Sequence, residues 1–446
     1  MILGSILNPV NSSMIAVALI PIGVAFGASP SATAWLVSAL YLATATGQPV
    51  VGRLVDRYGP RRLFLAGSAL VGLAGLIGAL APHLGVLIAA RVLLGLGTCA
   101  GYPAAMYLIR SEAERTGVDS PAAVLTALAV ATQTIAVIGP SLGGLLIGLG
   151  GWRTIFAVNV PIALISMILG WRRLPRGGGS GGSLRDVDVA GIGLFTATLT
   201  TLLLFLMDPR PDRWWLLLFA AGAAAGFAWR ELRVTEPFID LRVFGGNFPL
   251  LRTYLRTLLA YTVSYAFLYG FTQWMEAGRG LSATHAGLIL LPVFGTGILV
   301  STLTGRRPEI RWKLLVGAVS QVGVCALLLT LGPSSGIWLL VAIALLLGLP
   351  QGLISLANQN AVYFQADPAR MGASAGLLRT FGYLGAIVAS AAGGTFFRHG
   401  VDAAGLHHLA TFLLVAAVLF LAVTVLDRAL GRTVNPVAGN PAADPA

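Results

Sequence analysis

Apolar runs of about 20 residues recur along the chain, each closed by a short polar stretch, and that is the length at which a helix crosses a bilayer core. They predict spans near 6–27, 32–52, 63–82, 84–108, 121–149, 152–171, 188–207, 213–230, 254–275, 284–304, 314–332, 336–358, 372–397 and 408–426. The pattern predicts an all-α polytopic membrane protein of about fourteen helices. An even count puts both termini on one side. Arginines crowd the loops of that same side, from Arg53, Arg57, Arg61 and Arg62 through Arg172, Arg173, Arg230, Arg233 and Arg311 to Arg428 and Arg432. The opposite loops hold little beyond Arg153, Arg210, Arg213, Arg279 and Arg398. Basic loops stay in the cytoplasm, so both termini are expected there, in a multi-pass plasma-membrane protein. No Lys or Arg precedes the first run, so that run is read as a span rather than a secretory leader.

Composition agrees. The 446 residues are 56% hydrophobic and 10% charged, with a mean hydropathy of +0.83. Soluble domains carry about 25% charged residues. The net charge of +12 is spread over alternate short loops, which fits membrane topology rather than a nucleic-acid face. Cys99 and Cys325 fall in apolar segments, and His407 and His408 fall in a predicted loop. No metal-ligand spacing, nucleophile–base pair or phosphate loop is present, so neither a cofactor nor an enzymatic activity is expected.

Two polar stretches divide the chain. "RGGGSGGSLRD", Arg176 to Asp186, reads as a flexible linker, and the Pro/Ala-rich end as a disordered tail. Gly52 and Gly305 stand 253 residues apart, and so do Gly95 and Gly348, each pair in a related local sequence. The organisation expected is a six-helix half at 1–173, a linker at 174–187, two inserted helices with a loop at 188–248, a second six-helix half at 249–428 and a tail at 429–446. Two helical halves about a central site is the build of alternating-access transporters.

The polar run "GRLVDRYGPRR" sits between the second and third spans. With Gly52, Asp56, Arg57, Gly59, Arg61 and Arg62 it resembles the G-x-x-x-D-R-x-G-R-R signature of the major facilitator superfamily. "RVLLGLGTCAGYP" from Arg91 resembles that superfamily's fourth-helix motif. "IGPSLGG", with Gly139, Pro140, Gly143 and Gly144, resembles the antiporter motif of its fifth helix, although Ile135 stands where the motif usually has another Gly. "GWRTIFAVNVP" and "EPFIDLRVF" resemble the fourteen-span drug:proton antiporter branch. The resemblance implies export of small amphipathic organic compounds by proton antiport, and a conformational switch at Gly52, Asp56, Arg57, Gly59, Arg61, Arg62 and Arg91. Asp56, a lone carboxylate among guanidinium groups, would form a charge-assisted lock that makes and breaks with the transport cycle. Glycines around Pro140 permit close helix packing and a leak-tight seam.

Polar residues inside spans point to a substrate path. The candidates are Asn11, Ser12, Gln133, Asn159, Gln351, Asn358 and Arg379, together with Tyr261, Tyr265 and Tyr269, which share one stripe of a helix by their i, i+4, i+8 spacing. Each Asn or Ser has interhelical hydrogen bonding as its simpler role. Every Asp and Glu lies in a loop or within about two turns of a span end, whereas Arg91 and Arg379 read as buried. Related drug antiporters usually carry an Asp near Ser12, and none is present. Either Asp56 or Glu276 therefore carries the proton, or the substrate is neutral or anionic. Partners expected are a small-molecule substrate, protons and the bilayer, with the chain a monomer. The competing readings are an exporter of an acidic or zwitterionic metabolite with Arg379 as counter-charge, and a lipid flippase.

Overall fold

The structure is a computed structural model. It describes residues 2–101, 103–105, 107–108, 134, 138–175, 188–207, 210–235, 237–239, 241–304, 309–366 and 371–431, with every regular element among them helical. The first span is broken: α1 (Ile2–Met14) runs through a 3₁₀ turn (Ile15–Val17) into α2 (Leu19–Phe26), with a 60° bend between the arms. There follow α3 (Pro30–Tyr58), α4 (Pro60–Ala79), α5 (Leu84–Thr98), α6 (Ile138–Gly150) and α7 (Thr154–Arg173). Next come α8 (Val189–Met207) and α9 (Trp215–Glu231), then α10 (Phe248–Ala266), α11 (Ala283–Thr304), α12 (Ile310–Leu328), α13 (Ile337–Gln365), α14 (Met371–Phe396) and α15 (Ala403–Leu426). Among the described residues eight helices are long and apolar enough to cross a membrane, or nine if the bent pair makes one span. α3 and α14, at 29 and 26 residues, are as long and stand outside that count.

Local chemistry sets several boundaries. Ser29 caps α3 through its side chain, which accepts the Ala32 N–H, and Pro30 occupies the first helical position, where a missing N–H costs nothing. At the other end α3 runs on to Tyr58, so Asp56 and Arg57 belong to its last helical turns rather than to a loop. Gly59, at φ 85°, makes the turn and Pro60 starts α4 at once. His407 and His408, expected in a loop, lie inside α15, because Asp402 caps that helix ahead of the start that the apolar pattern gives. The expected linker and tail lie outside the described residues, except for Leu174, Pro175 and the stretch up to Gly431.

Two helix crossings 253 residues apart share one geometry. A Cβ on Gly95 would stand 2.7 Å from Leu40 O and 2.9 Å from the Ala43 Cβ. A Cβ on Gly348 would stand 2.5 Å from Val293 O and hard against Thr296. Leu40 and Val293, and likewise Ala43 and Thr296, are again 253 residues apart. The α3–α5 and α11–α13 contacts are thus one close helix crossing made twice, each possible only without a side chain. Gly305 lies outside the described residues. The hairpin α8–α9 packs through α8 on α3 and α14, one helix from each half.

The halves meet along two seams in the same register. Ser390 Oγ of α14 donates to Ala34 O of α3 at 2.8 Å. Ser141 Oγ of α6 donates to Gly287 O of α11, also at 2.8 Å. Ala34 and Gly287 are 253 residues apart. Both bonds lie near the start of α3 and of α11, so they close the same end of the molecule.

Candidate functional site

Between the seams, five tyrosines from both halves come together. Tyr41 projects from α3, and Tyr261, Tyr265 and Tyr269 form a stripe on α10 and its continuation. Tyr383 comes from α14. Ring centroids are 5.2 Å apart for Tyr41–Tyr265, and 5.8 Å for Tyr41–Tyr383, Tyr261–Tyr265 and Tyr265–Tyr269. The hydroxyls knit the halves: those of Tyr41 and Tyr269 lie 3.2 Å apart, Tyr269 donates to Ser12 O at 2.9 Å, and Tyr383 donates to Gln48 Oε1 of α3 at 2.8 Å. Tyr41 and Tyr269 are buried, whereas Tyr261, Tyr265 and Tyr383 remain half-buried. Beyond Ala266, α10 continues as two widened π-helical turns, Phe267–Phe271 and Trp274–Gly278, which carry Tyr269 and Glu276. Such turns are frequent at functional sites.

Behind the rings lies a polar layer. Asn11 Nδ2 donates to Asn159 Oδ1 at 2.6 Å, and Asn159 Nδ2 donates back to Asn11 Oδ1 at 2.8 Å. This reciprocal amide pair ties α1 to α7 and turns both side chains to each other. Arg91 of α5 is 1% exposed. Its Nε donates to Leu36 O at 2.8 Å and its Nη1 to Asn11 O at 3.2 Å, while Nη2 has no hydrogen-bond partner. Arg379, expected buried, is exposed on α14 and neighbours Tyr383 one turn on. Gln351 packs by α11 within the second half, and Asn358 is buried with Oδ1 lacking a partner. Gln133 and the side chains of Asp56 and Arg57 lie outside the described residues. Gly52 is partly buried, Arg62 is exposed, and Arg61 Nη2 donates to Trp171 O at 2.8 Å, covering a carbonyl of the last turn of α7.

The glycine run of α6 is wedged between two helices. Cβ atoms on Gly139 and Gly143 would run into Ser13 and Met14 of α1, and one on Gly144 would stand 2.6 Å from Ala283 O. Gly287 of α11 presses on the Pro140 carbonyl, and Thr284 Oγ1 donates to Gly144 O at 2.8 Å. The stretch therefore forms the seam between halves at the closed end.

Comparison with known proteins decides the family. A model described as Major Facilitator Superfamily matches residues 1–390. The chain belongs to the major facilitator superfamily. It is 33% identical over 451 residues to an uncharacterized MFS-type transporter, YwoD, of Bacillus subtilis (strain 168), covering 97% of this chain and 96% of that protein. A lincomycin resistance protein of Streptomyces lincolnensis is 29% identical over 399 residues, covering 85% and 79%. A solved structure described as a proton dependent oligopeptide transporter shares the fold with a TM-score of 0.66, at 14% identity and 97% coverage of each chain. As a facilitator-superfamily member the protein is a multi-pass membrane transporter.

Sequence reasoning missed Tyr41, Gln48 and Tyr383, which meet the expected stripe only by tertiary packing. It also found no buried carboxylate, and the structure corrects this: Glu231, Asp427, Asp188 and Glu276 are all buried. Each lies near a helix end, but neighbouring elements cover those ends. Asp188 Oδ1 accepts from Gly191 N at 2.8 Å and Arg230 Nε at 2.7 Å, and Glu231 Oε2 accepts from Ile239 N at 2.8 Å. Burial alone would raise the Asp188 carboxyl, but the Gly191 N–H and the Arg230 guanidinium outweigh it and hold that group below its ordinary value. Glu276 is 7% exposed, and its Oε1 has no hydrogen-bond partner.

Proposed function

We propose that this transporter is a fourteen-span exporter of small amphipathic organic compounds, working by alternating access and proton antiport from the plasma membrane, as a monomer with both termini in the cytoplasm. The single observation that carries the reading is the phenol-lined site where the two halves meet, sealed at one end by two seams in the same register. A site held by both halves changes its access when they rock, and seams that close one end imply an opposite state in which they part. In this topology the sealed end is the outer one. A relative named for lincomycin resistance supports an organic cargo.

The proton would ride on Glu276 or Asp56. Glu276 lies on the same helix continuation as Tyr269, two turns away, and among the described residues no ion pair to it is present. It can therefore gain or lose a proton without breaking a salt bridge. Asp56 would act as the switch between α3 and α4, with Arg57, Arg61 and Arg62 as its surroundings. The test is uptake by reconstituted vesicles of a panel of organic compounds with and without an imposed pH gradient. Gradient-driven accumulation that Glu276→Gln or Asp56→Asn removes, with both variants inserted at normal levels, is the expected result. Transport indifferent to the gradient overturns antiport, and no transport of any compound overturns the export reading.

A further inference from the structure

We propose that the groove between the first turns of α11 and α13 seats an anionic phospholipid, its acyl chain along the helices and its phosphate on Arg279 and His285. The proposal stands apart from the export reading and needs no cargo. The groove has a volume of about 410 Å³ and is lined by Leu281, His285, Leu288, Ile289, Ile337 and Val341. His285 and Ile289 are four residues apart on α11, as Ile337 and Val341 are on α13, so the groove runs along both helices. Leu288 and Ile337 are exposed, on two helices long and apolar enough to cross a membrane. Such a channel takes a lipid chain lengthwise, with dispersion contacts on both flanks.

Charge at one end of the groove selects the headgroup. Arg279 follows the second π-helical turn of the α10 continuation and stands two residues before Leu281. Its Nη1 donates to Ser335 O, two residues before Ile337, so the guanidinium bridges the two segments that lead into the groove. Its Cζ lies 5.9 Å from the centre of the Trp274 ring. Among the described residues no carboxylate pairs with Arg279. Neither lead-in segment, 277–282 or 329–336, contains an Asp or Glu, and Glu276 just ahead of the first is buried. His285 lines the groove itself. Its Nδ1 lies 2.8 Å from the Ser282 Oγ, which also accepts the His285 N–H at 3.3 Å. A hydroxyl oxygen that accepts there has its proton to give to Nδ1, which leaves Nε2 as a donor for a ligand. Trp338, beside Ile337, is 75% exposed, and tryptophans at the ends of membrane helices sit at headgroup depth. A phosphate at that level meets a guanidinium and an imidazole, while the chain deeper in meets only Leu, Ile and Val.

The test is native mass spectrometry of the full-length protein in detergent, titrated with dipalmitoyl phosphatidylglycerol, dipalmitoyl phosphatidylcholine or glycerol phosphate. The first phosphatidylglycerol is expected to bind at least about fivefold tighter than the first phosphatidylcholine, the effect of one basic residue on an anionic headgroup. Arg279→Gln should cut that preference below about twofold, while Arg279→Lys, which keeps the charge, should retain most of it. Arg279 also holds the loop at Ser335, so His285→Gln repeats the reading at an exposed side chain and should lower the preference about twofold. Leu288→Trp, at a half-exposed position, should fill the groove and weaken both lipids at least about threefold. Glycerol phosphate, which has no chain to seat, should leave no adduct at the same concentrations. Equal affinity for the two lipids, or a preference unchanged in Arg279→Gln and His285→Gln, overturns the headgroup assignment. Lipid binding indifferent to Leu288→Trp, or glycerol phosphate binding as tightly as the phospholipid, overturns the seat for the chain and with it the proposal.

Discussion

Among the described residues each half of the molecule buries one guanidinium almost completely, and the two are treated in opposite ways. Arg256 of α10 is 0% exposed and faces Asp427, itself 0% exposed. Its Nη1 donates to Asp427 Oδ2 at 2.7 Å and its Nη2 to Thr253 Oγ1 at 2.5 Å, and Arg252 Nη1 adds a longer bond to Asp427 Oδ1 at 3.3 Å. Arg91 in the first half is given only carbonyl oxygens. A buried charge costs several kcal/mol unless it is paired, so the two sites must be held for different reasons. Arg256 and Asp427 neutralise each other and clamp α10 to the end of α15. Arg91 keeps its charge, and that charge sits behind the tyrosines. One is a structural pair; the other leaves a positive charge beside the tyrosines.

The largest effect expected from this contrast is on Asp427. Asp427→Ala leaves Arg256 buried and unpaired, which should cost about 3–5 kcal/mol of stability. The double replacement Asp427→Leu with Arg256→Met should recover most of that. Both are read as unfolding midpoints in detergent. An Asp427→Ala protein that melts with the parent would mean that water reaches Arg256 and that the two guanidinium groups are not so different.

In packing, by contrast, the halves should behave alike. Gly95→Ala and Gly348→Ala each push a Cβ onto a backbone carbonyl that cannot retreat. Overpacking costs about 1–3 kcal/mol, offset by about 1 kcal/mol from the better helix former. The two losses should agree within about 0.5 kcal/mol if the repeated crossings are equivalent. Tolerance in one half alone would confine the repeat to geometry.

How far the sequence alone reached follows the same line between local and tertiary information. The glycine repeat and the stripe of Tyr261, Tyr265 and Tyr269 were legible, because each depends on spacing within one helix or one copied segment. Tyr41 and Tyr383 were not, since what makes them part of the site is the meeting of α3, α10 and α14 across hundreds of residues. Arg379 read as buried from its depth in the apolar run, and the structure exposes it on α14, beside Tyr383. Asp427 directly follows the last predicted span. Arg252 and Arg256 of α10 meet it there, and nothing near Asp427 in the chain announces them.

A third pair calibrates the comparison. Asp188 is buried, but its partner Arg230 keeps 36% of its side chain exposed. Such a pair contributes up to about 1 kcal/mol. The Asp188 carboxyl is held below its ordinary value in the folded protein, so its stabilisation is present above the unfolded value near 3.9 and fades as pH falls through the folded one. Asp188→Asn should therefore melt slightly below the parent at neutral pH, and the two curves should converge in acid. A gap that persists or widens as pH falls would show that the carboxylate charge is not what holds the hairpin.

The smallest stability change is expected at the most buried charge. Arg91→Met removes two hydrogen bonds, each worth about 1–3 kcal/mol when a charged donor is involved. It also removes the cost of burying an unpaired guanidinium, a penalty of several kcal/mol, and Met fills the space with a flexible apolar chain. Leu36 O and Asn11 O sit in helices and can keep their backbone partners. The terms oppose and nearly cancel, so the melting midpoint should stay within about 1 kcal/mol of the parent or rise. Transport should not be so forgiving. With the charge behind the rings gone, uptake of organic compounds by reconstituted vesicles should fall severalfold. A midpoint that drops as far as that of Asp427→Ala would mean that Arg91 holds the first half together as Arg256 holds the second. The charge at the tyrosine site would then be a by-product of folding rather than its reason.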